Sequence, residues 1–77
     1  MEGLPVTALP GIGPVWGAEL KKKGIAHASQ IYGQFLTMKK DERMFTVWLQ
    51  QQCGISARHV RSVYNALQDW SQRHLSE

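Results

Sequence analysis

The sequence has too few cysteines and histidines to build the crosslinks that stabilise many small proteins. Its 77 residues include one cysteine, Cys53, so no disulfide can form within the chain. The three histidines are 32 and 15 positions apart, with no second cysteine beside them, which is not a zinc-site spacing. We therefore expect no metal or other cofactor. A single cysteine also predicts a reducing compartment, the nucleus or the cytoplasm.

Long apolar runs are missing as well. No stretch approaches the length of a membrane span, and the first residues show no basic segment followed by an apolar one, so we expect neither a membrane helix nor a signal peptide. The length predicts a single domain over residues 1–77. A core of this size is only marginally sufficient for stability. Since no disulfide or metal site is expected, we expect self-association to bury additional apolar surface.

Charge is distributed unevenly along the chain. The net charge is +3, and all of it lies in residues 1–40, where five lysines face two glutamates; residues 41–77 carry four arginines and four acids. A mild basic excess is compatible with an anionic partner, although many solvated surfaces look the same.

Helical periodicity predicts an all-α fold of four main helices. A short helix is expected from Pro14 to Lys23, after a possible helical turn at residues 6–9. Asp41 and Ser56 precede periodic runs and are candidate N-caps, whereas Gly24 and Gly54 are placed to end helices. The three longer helices carry these apolar stripes: Ala28, Ile31, Phe35 and Met38; then Met44, Phe45, Trp48 and Leu49; then Ala57, Val60, Tyr64, Leu67 and Leu75, with Val63 and Trp70.

The stretch LPGIGPVW, residues 9–16, is typical of a helix-hairpin-helix motif. Gly11 and Gly13 permit positive φ and close approach of another molecule, while Ile12 is expected to point inward. Pro14 suits the first position of the following helix. The amide groups of Gly13, Val15 and Trp16 would then lie unpaired at a positive helix terminus, where they favour a phosphate. The structural alternative is a tight turn between helices that binds no ligand.

The lysines after this motif are ambiguous. Three adjacent lysines, residues 21–23, spread around a helix, so at most one or two can reach the phosphate backbone that the hairpin contacts. A solvated helix end that complements the helix dipole explains the others equally well.

A longer stretch identifies a family. The sequence YGQFLTMKKDERMFTVWLQQQCG, residues 32–54, preceded by PVTALPGIGPV and followed by ARHVRSVYNALQDW, resembles barrier-to-autointegration factor. The resemblance runs from about Pro5 to Leu75 and implies a SAM-like helical fold. It also implies a homodimer that binds double-stranded DNA without sequence preference and bridges two duplexes. LEM-domain proteins of the inner nuclear membrane and lamins are the other partners that it implies.

The resemblance assigns roles to individual residues. Polar and basic residues at the start of the last helix join the hairpin in contacting DNA, and Arg58 and Arg61, three positions apart, share a helix face. The dimer contact maps to the second helix, at Tyr32, Gly33 and Leu36. Alternatively, Gly33 only relieves crowding against Trp48 within one subunit. The complete predicted DNA-contacting set is Gly11, Ile12, Gly13, Val15, Trp16, Lys21, Lys22, Ser56, Arg58 and Arg61.

Departures from the family pattern and rival functions are also visible. We expect this chain to lack the further N-terminal helix and phosphorylatable tail with which the family begins. Pro14 removes an amide from the hairpin, and Trp16 is bulkier than the usual aliphatic residue. The alternatives to DNA bridging are a protein-interaction adaptor with a degenerate hairpin and a generic helix-hairpin-helix module of a DNA repair or competence system. A base-flipping enzyme is disfavoured because the chain is too short for its pocket.

Overall fold

A computed structural model describes residues 3–75, with side chains up to residue 73. Within that range the protein contains four α-helices, which confirms the predicted all-α fold: α1 (Pro14–Lys22), α2 (Ala28–Thr37), α3 (Glu42–Cys53) and α4 (Ala57–Leu75). A single 3-10 turn, Val6–Ala8, precedes them where a helical turn was predicted. Backbone hydrogen bonds from Val6 N to Ala26 O (3.1 Å) and from Ala28 N to Leu4 O (2.9 Å) tie this segment to the start of α2.

Local chemistry sets most helix ends. Asp41 caps α3 by accepting a hydrogen bond from Met44 N at 2.9 Å, and Gly54 ends α3 with φ at +75°. Gly24, at φ +84°, follows the end of α1. Ser56 precedes α4 as predicted, and its hydroxyl contacts Nδ1 of His59 at 2.7 Å.

An aromatic cluster occupies the centre of the core. The ring centroids of Phe35 and Phe45 are 5.8 Å apart, and those of Phe35 and Tyr64 are 5.4 Å apart, both edge to face. This geometry is favourable for aromatic pairs beyond the area that they bury. The predicted helix stripes are largely confirmed. Two members are wrong, since Met44 and Ala57 are exposed, and the side chain of Leu75 lies outside the described part of the chain.

The connection between α2 and α3 has unusual backbone geometry. Lys39 and Lys40 have φ angles of +55° and +62°, in the left-handed region that costs a non-glycine residue about 1–2 kcal/mol. The Tyr64 hydroxyl of α4 donates a hydrogen bond to the Lys40 carbonyl oxygen at 2.7 Å. Burial raises the pKa of the Tyr64 hydroxyl, and the carboxylates of Glu42 and Asp41 raise it further, so this group stays protonated as a donor. Contact with α4 therefore holds the strained connection in place.

Candidate nucleic-acid interface

The first half of the hairpin is packed against the protein itself. Ile12 is buried, as the sequence predicts, and belongs to the main core. Gly11 has φ at +97°, and a Cβ at this position would lie only 2.5 Å from the carbonyl oxygen of His59. The sequence predicted that the absent side chain of Gly11 leaves room for another molecule. That prediction is wrong, because the backbone of α4 occupies this space.

Gly11→Ala is consequently expected to destabilise the fold. The new Cβ would meet backbone rather than a mobile side chain, and the positive φ adds strain, so we expect a loss of about 2–3 kcal/mol in the free energy of unfolding. Urea denaturation followed by circular dichroism measures this loss. Gly13→Ala is the matched control, because a Cβ there meets nothing within 4 Å. Equal stability of the two variants would contradict the packing described.

The second half of the hairpin is open. Gly13 is the N-cap of α1 with φ at −89° and ψ at −175°, an extended conformation that any residue adopts. The freedom to adopt positive φ, which both glycines have, is therefore used at Gly11 and not at Gly13. What its lack of a side chain provides is clear space in front of the helix end, since a Cβ would have no neighbour within 4 Å.

The N-terminus of α1 has the donors that an anion requires. The first hydrogen bond of the helix runs from Gly17 N to Gly13 O at 2.8 Å, so the N–H groups of Val15 and Trp16 precede it. Gly13 has no side chain that could cap them, and Pro14 at the first helical position has no N–H to offer. Residues 13–16 line a depression of about 390 Å³, and the Val15 side chain at its edge is 74% exposed.

The beginning of α4 lies beside this helix end. The rings of Trp16 and His59 meet edge to face, with centroids 4.9 Å apart. Ser56, immediately before α4, is exposed and within hydrogen-bond distance of the same histidine. The first turns of α1 and α4 are therefore in contact with each other. His59 lies outside the predicted set, because a solvated histidine was the favoured interpretation of a histidine beside Arg58; it is exposed and contacts Trp16.

The predicted cationic residues are only partly brought together. Arg58 is exposed near the start of α4. Arg61 leans towards α3, where its Nε is 3.9 Å from Oε1 of Glu42, and both side chains remain largely exposed. Such a pair is weak and leaves the arginine available to another anion.

The two predicted lysines lie at the far end of α1. Lys21 lies seven positions after Pro14, which is about 10 Å along a helix axis. Lys22 pairs with Glu19 at 3.2 Å, one turn back on the same helix, and Lys21 is exposed. Both positions agree with the dipole-complementing alternative as well as with a peripheral role in DNA binding.

The predicted dimer residues differ in their surroundings. Gly33 is exposed, and a Cβ there would meet no atom within 4 Å apart from its neighbours along the helix. The alternative in which Gly33 relieves crowding against Trp48 is therefore wrong. Leu36, one turn later, is 44% exposed. Tyr32 is half-buried against Trp70, with ring centroids 4.5 Å apart, so part of its surface already packs within the chain.

Three features bear on other functional classes: the Cys53 thiol, the clustering of metal-ligating side chains and the length of the apolar helices. Burial raises the pKa of the Cys53 thiol, so the neutral thiol predominates at neutral pH and makes a poor nucleophile. Among residues 3–75, no group of three or more histidine, cysteine, aspartate and glutamate side chains is arranged to hold a metal ion. None of the helices described is both long and apolar enough to cross a membrane.

Comparison with known proteins decides the family. Residues 1–74 match the sequence profile described as barrier to autointegration factor. The chain belongs to the barrier-to-autointegration factor family. Its all-helical fold agrees with this membership, and the resemblance seen in residues 32–54 is confirmed.

Relatives from distant animals show similar levels of identity. Barrier-to-autointegration factor of Homo sapiens is 42% identical over 66 residues, which cover 86% of this chain and 74% of the relative. Barrier-to-autointegration factor 1 of Caenorhabditis elegans is 39% identical over 66 residues with the same coverage. The Drosophila melanogaster protein is 40% identical over 70 residues, covering 91% of this chain and 78% of the relative.

Proposed function

We propose that this chain is a non-enzymatic homodimer that binds double-stranded DNA without sequence preference and bridges or condenses duplexes. Residues 1–77 act as a single helix-hairpin-helix DNA-binding domain in this proposal. The observation that carries it is the open N-terminus of α1, where Gly13 leaves clear space before the N–H groups of Val15 and Trp16. Membership of the barrier-to-autointegration factor family supports a DNA-binding role for this site.

The proposed mechanism uses the backbone of DNA and not its bases. A phosphate bound at the end of α1 accepts hydrogen bonds from main-chain amides and is favoured by the helix dipole. Arg58 and Arg61 add side-chain cations along the same phosphate strand. Contacts of this kind fix the position of a protein on a duplex but carry no sequence information, so binding is general.

The dimer supplies the bridging. Gly33 leaves α2 open to close approach by a second backbone, and the exposed Leu36 adds apolar area beside it. Each protomer then holds one duplex. The nucleus and the cytoplasm are the proposed compartments, and LEM-domain proteins and lamins are the further partners that family membership suggests.

DNA affinity is expected to fall steeply with salt. Each phosphate neutralised contributes a slope of about −0.9 in a plot of log affinity against log salt concentration. Arg58→Gln should therefore reduce the slope by about 1. The measurement is a fluorescence-anisotropy titration of a labelled mixed-sequence duplex from 50 to 300 mM salt, combined with the mass of the free protein by light scattering.

Arg73→Gln is the matched control, because it makes the same change on α4 about 22 Å away along the helix axis. An unchanged slope in Arg58→Gln would exclude that arginine from the interface. Absence of binding to any duplex at low salt would contradict DNA binding as a whole and favour the adaptor with a degenerate hairpin.

A further inference from the structure

A depression between α3 and the start of α4 lies outside the proposed phosphate site at the end of α1. Its volume is about 350 Å³. Ala57, one of its lining residues, is the first residue of α4 and stands in the sequence between Ser56 and Arg58, both predicted to contact DNA. The depression therefore adjoins the proposed DNA surface. Its complete lining is Glu42, Arg43, Thr46, Val47, Ala57 and Arg61.

This depression carries an excess of positive charge, because two arginines and one carboxylate line it. Arg43, in the first turn of α3, is exposed. Among the side chains that the structure describes, no carboxylate lies within ion-pair distance of Arg43. The charge of this arginine is therefore available to an anion from outside the chain.

The carboxylate of Glu42 holds the second arginine only loosely. Its Oε1 is 3.9 Å from Nε of Arg61, which is beyond hydrogen-bond distance, and the side chains of Arg61 and Glu42 are 75% and 48% exposed. A pair of this kind contributes little to stability in water. The guanidinium group of Arg61 has further N–H donors on its two Nη atoms, and a phosphate can accept from two of its donors at once. A phosphate is therefore a stronger partner for Arg61 than Glu42 is.

We propose that Arg43 and Arg61 form a second phosphate-binding site for DNA, in which Glu42 competes with the phosphate for Arg61. This inference rests on the proposed function and deepens it, because it extends the DNA contact from α4 onto α3. In the free protein, the Glu42 carboxylate limits the repulsion between the two arginines. A phosphate that enters the depression accepts charge-assisted hydrogen bonds from both guanidinium groups and displaces Glu42 from Arg61.

The arrangement favours a DNA strand over an isolated anion. Arg58 and Arg61 lie three positions apart on α4, and Arg43 belongs to the α3 side of the same depression as Arg61. The phosphates of DNA recur at regular intervals along each strand, so a strand bound at Arg58 presents further phosphates beside it. The three arginines can therefore bind consecutive parts of one phosphate strand.

The test is a fluorescence-anisotropy titration of a labelled mixed-sequence duplex at several salt concentrations. We expect Arg43→Gln to weaken binding about tenfold and to lower the salt slope by about 1. Glu42→Gln should tighten binding about threefold, because Arg61 then has no competing partner. Asp69→Asn is the matched control for Glu42→Gln. It removes the same charge from an arginine pair towards the other end of α4, so the affinity should stay nearly unchanged.

A double variant separates competition for Arg61 from a general effect of charge. In an Arg61→Gln background, Glu42→Gln should lose most of its effect, because the arginine for which it competes is gone. Circular dichroism checks that each variant is folded. The inference is overturned, and the proposed function stands, if folded Arg43→Gln keeps the wild-type affinity and slope. The same conclusion follows if Glu42→Gln and Asp69→Asn tighten binding equally, or if the effect of Glu42→Gln persists in full without Arg61. Absence of duplex binding by the wild-type protein at low salt overturns both proposals.

Discussion

Gly13→Glu is expected to abolish DNA binding while leaving the helical content unchanged. The backbone of Gly13 is extended, and a Cβ there meets nothing, so the fold accepts a side chain. A glutamate at this N-cap places a carboxylate in front of the Val15 and Trp16 amides, where the phosphate would lie. Juxtaposed like charges cost several kcal/mol, so we expect affinity to fall more than about a hundredfold. Fluorescence anisotropy with a labelled duplex measures the loss, and circular dichroism checks the fold.

Gly13→Gln is the matched control for this variant. It adds nearly the same volume without the charge, so it separates steric blocking from electrostatic repulsion. We expect Gly13→Gln to bind more weakly than the wild type but more tightly than Gly13→Glu. A folded Gly13→Glu protein that retains its affinity for DNA would exclude the end of α1 as the phosphate site.

Gly33→Glu is expected to convert the dimer into a folded monomer. The residue is exposed and a Cβ has open space, so the substitution should not disturb the subunit. Where two backbones approach closely, however, two buried carboxylates related by symmetry would repel each other and lose their hydration. Light scattering or analytical ultracentrifugation at micromolar concentration measures the change of mass. A stable Gly33→Glu dimer would remove α2 from the interface.

Gly33→Ala gives a finer test of the same surface. In an isolated subunit, alanine in a helix interior is favoured over glycine by about 1 kcal/mol, so the monomer should become more stable. At a close contact between subunits, the added methyl group should weaken association. If α2 forms the interface, we expect the monomer to become more stable while the dimer becomes weaker. A gain in monomer stability with unchanged dimer affinity indicates a solvent-facing helix.

The monomeric variant also separates DNA binding from bridging. A Gly33→Glu protein keeps its hairpin, so it should still shift the mobility of a single duplex. It should no longer join two DNA molecules, which a pull-down of labelled duplex by duplex immobilised on beads detects. Bridging by a monomer would show that the second DNA contact lies within one subunit.

The sequence predicted the local features well because they depend on neighbouring residues. Asp41 caps α3 and Gly54 ends it through hydrogen bonds and dihedral angles within one turn of chain. Periodicity was a weaker guide to burial. Met44 and Ala57 lie on apolar stripes in the sequence but are exposed, because burial depends on which other elements pack against that face of the helix.

The site required the tertiary structure. The two glycines of the hairpin look equivalent in the sequence, but Gly11 packs against the carbonyl oxygen of His59 and Gly13 faces open space. The contact between Trp16 and His59 joins residues 43 positions apart, and no local pattern encodes it. The sequence offers Arg61 as a candidate DNA contact, whereas its pairing with Glu42 depends on how α4 crosses α3.

The left-handed connection at Lys39 and Lys40 has a mechanical consequence for bridging. It joins α2, which carries the proposed dimer contact, to the remainder of the subunit. The Tyr64 hydroxyl of α4 donates a hydrogen bond to the Lys40 carbonyl oxygen of this connection at 2.7 Å. Since α4 also begins at the proposed DNA surface, this hydrogen bond connects the helix of the proposed DNA contact directly to the end of the helix that carries the proposed dimer contact. Two duplexes held by a dimer would then keep a fixed spacing and crossing angle.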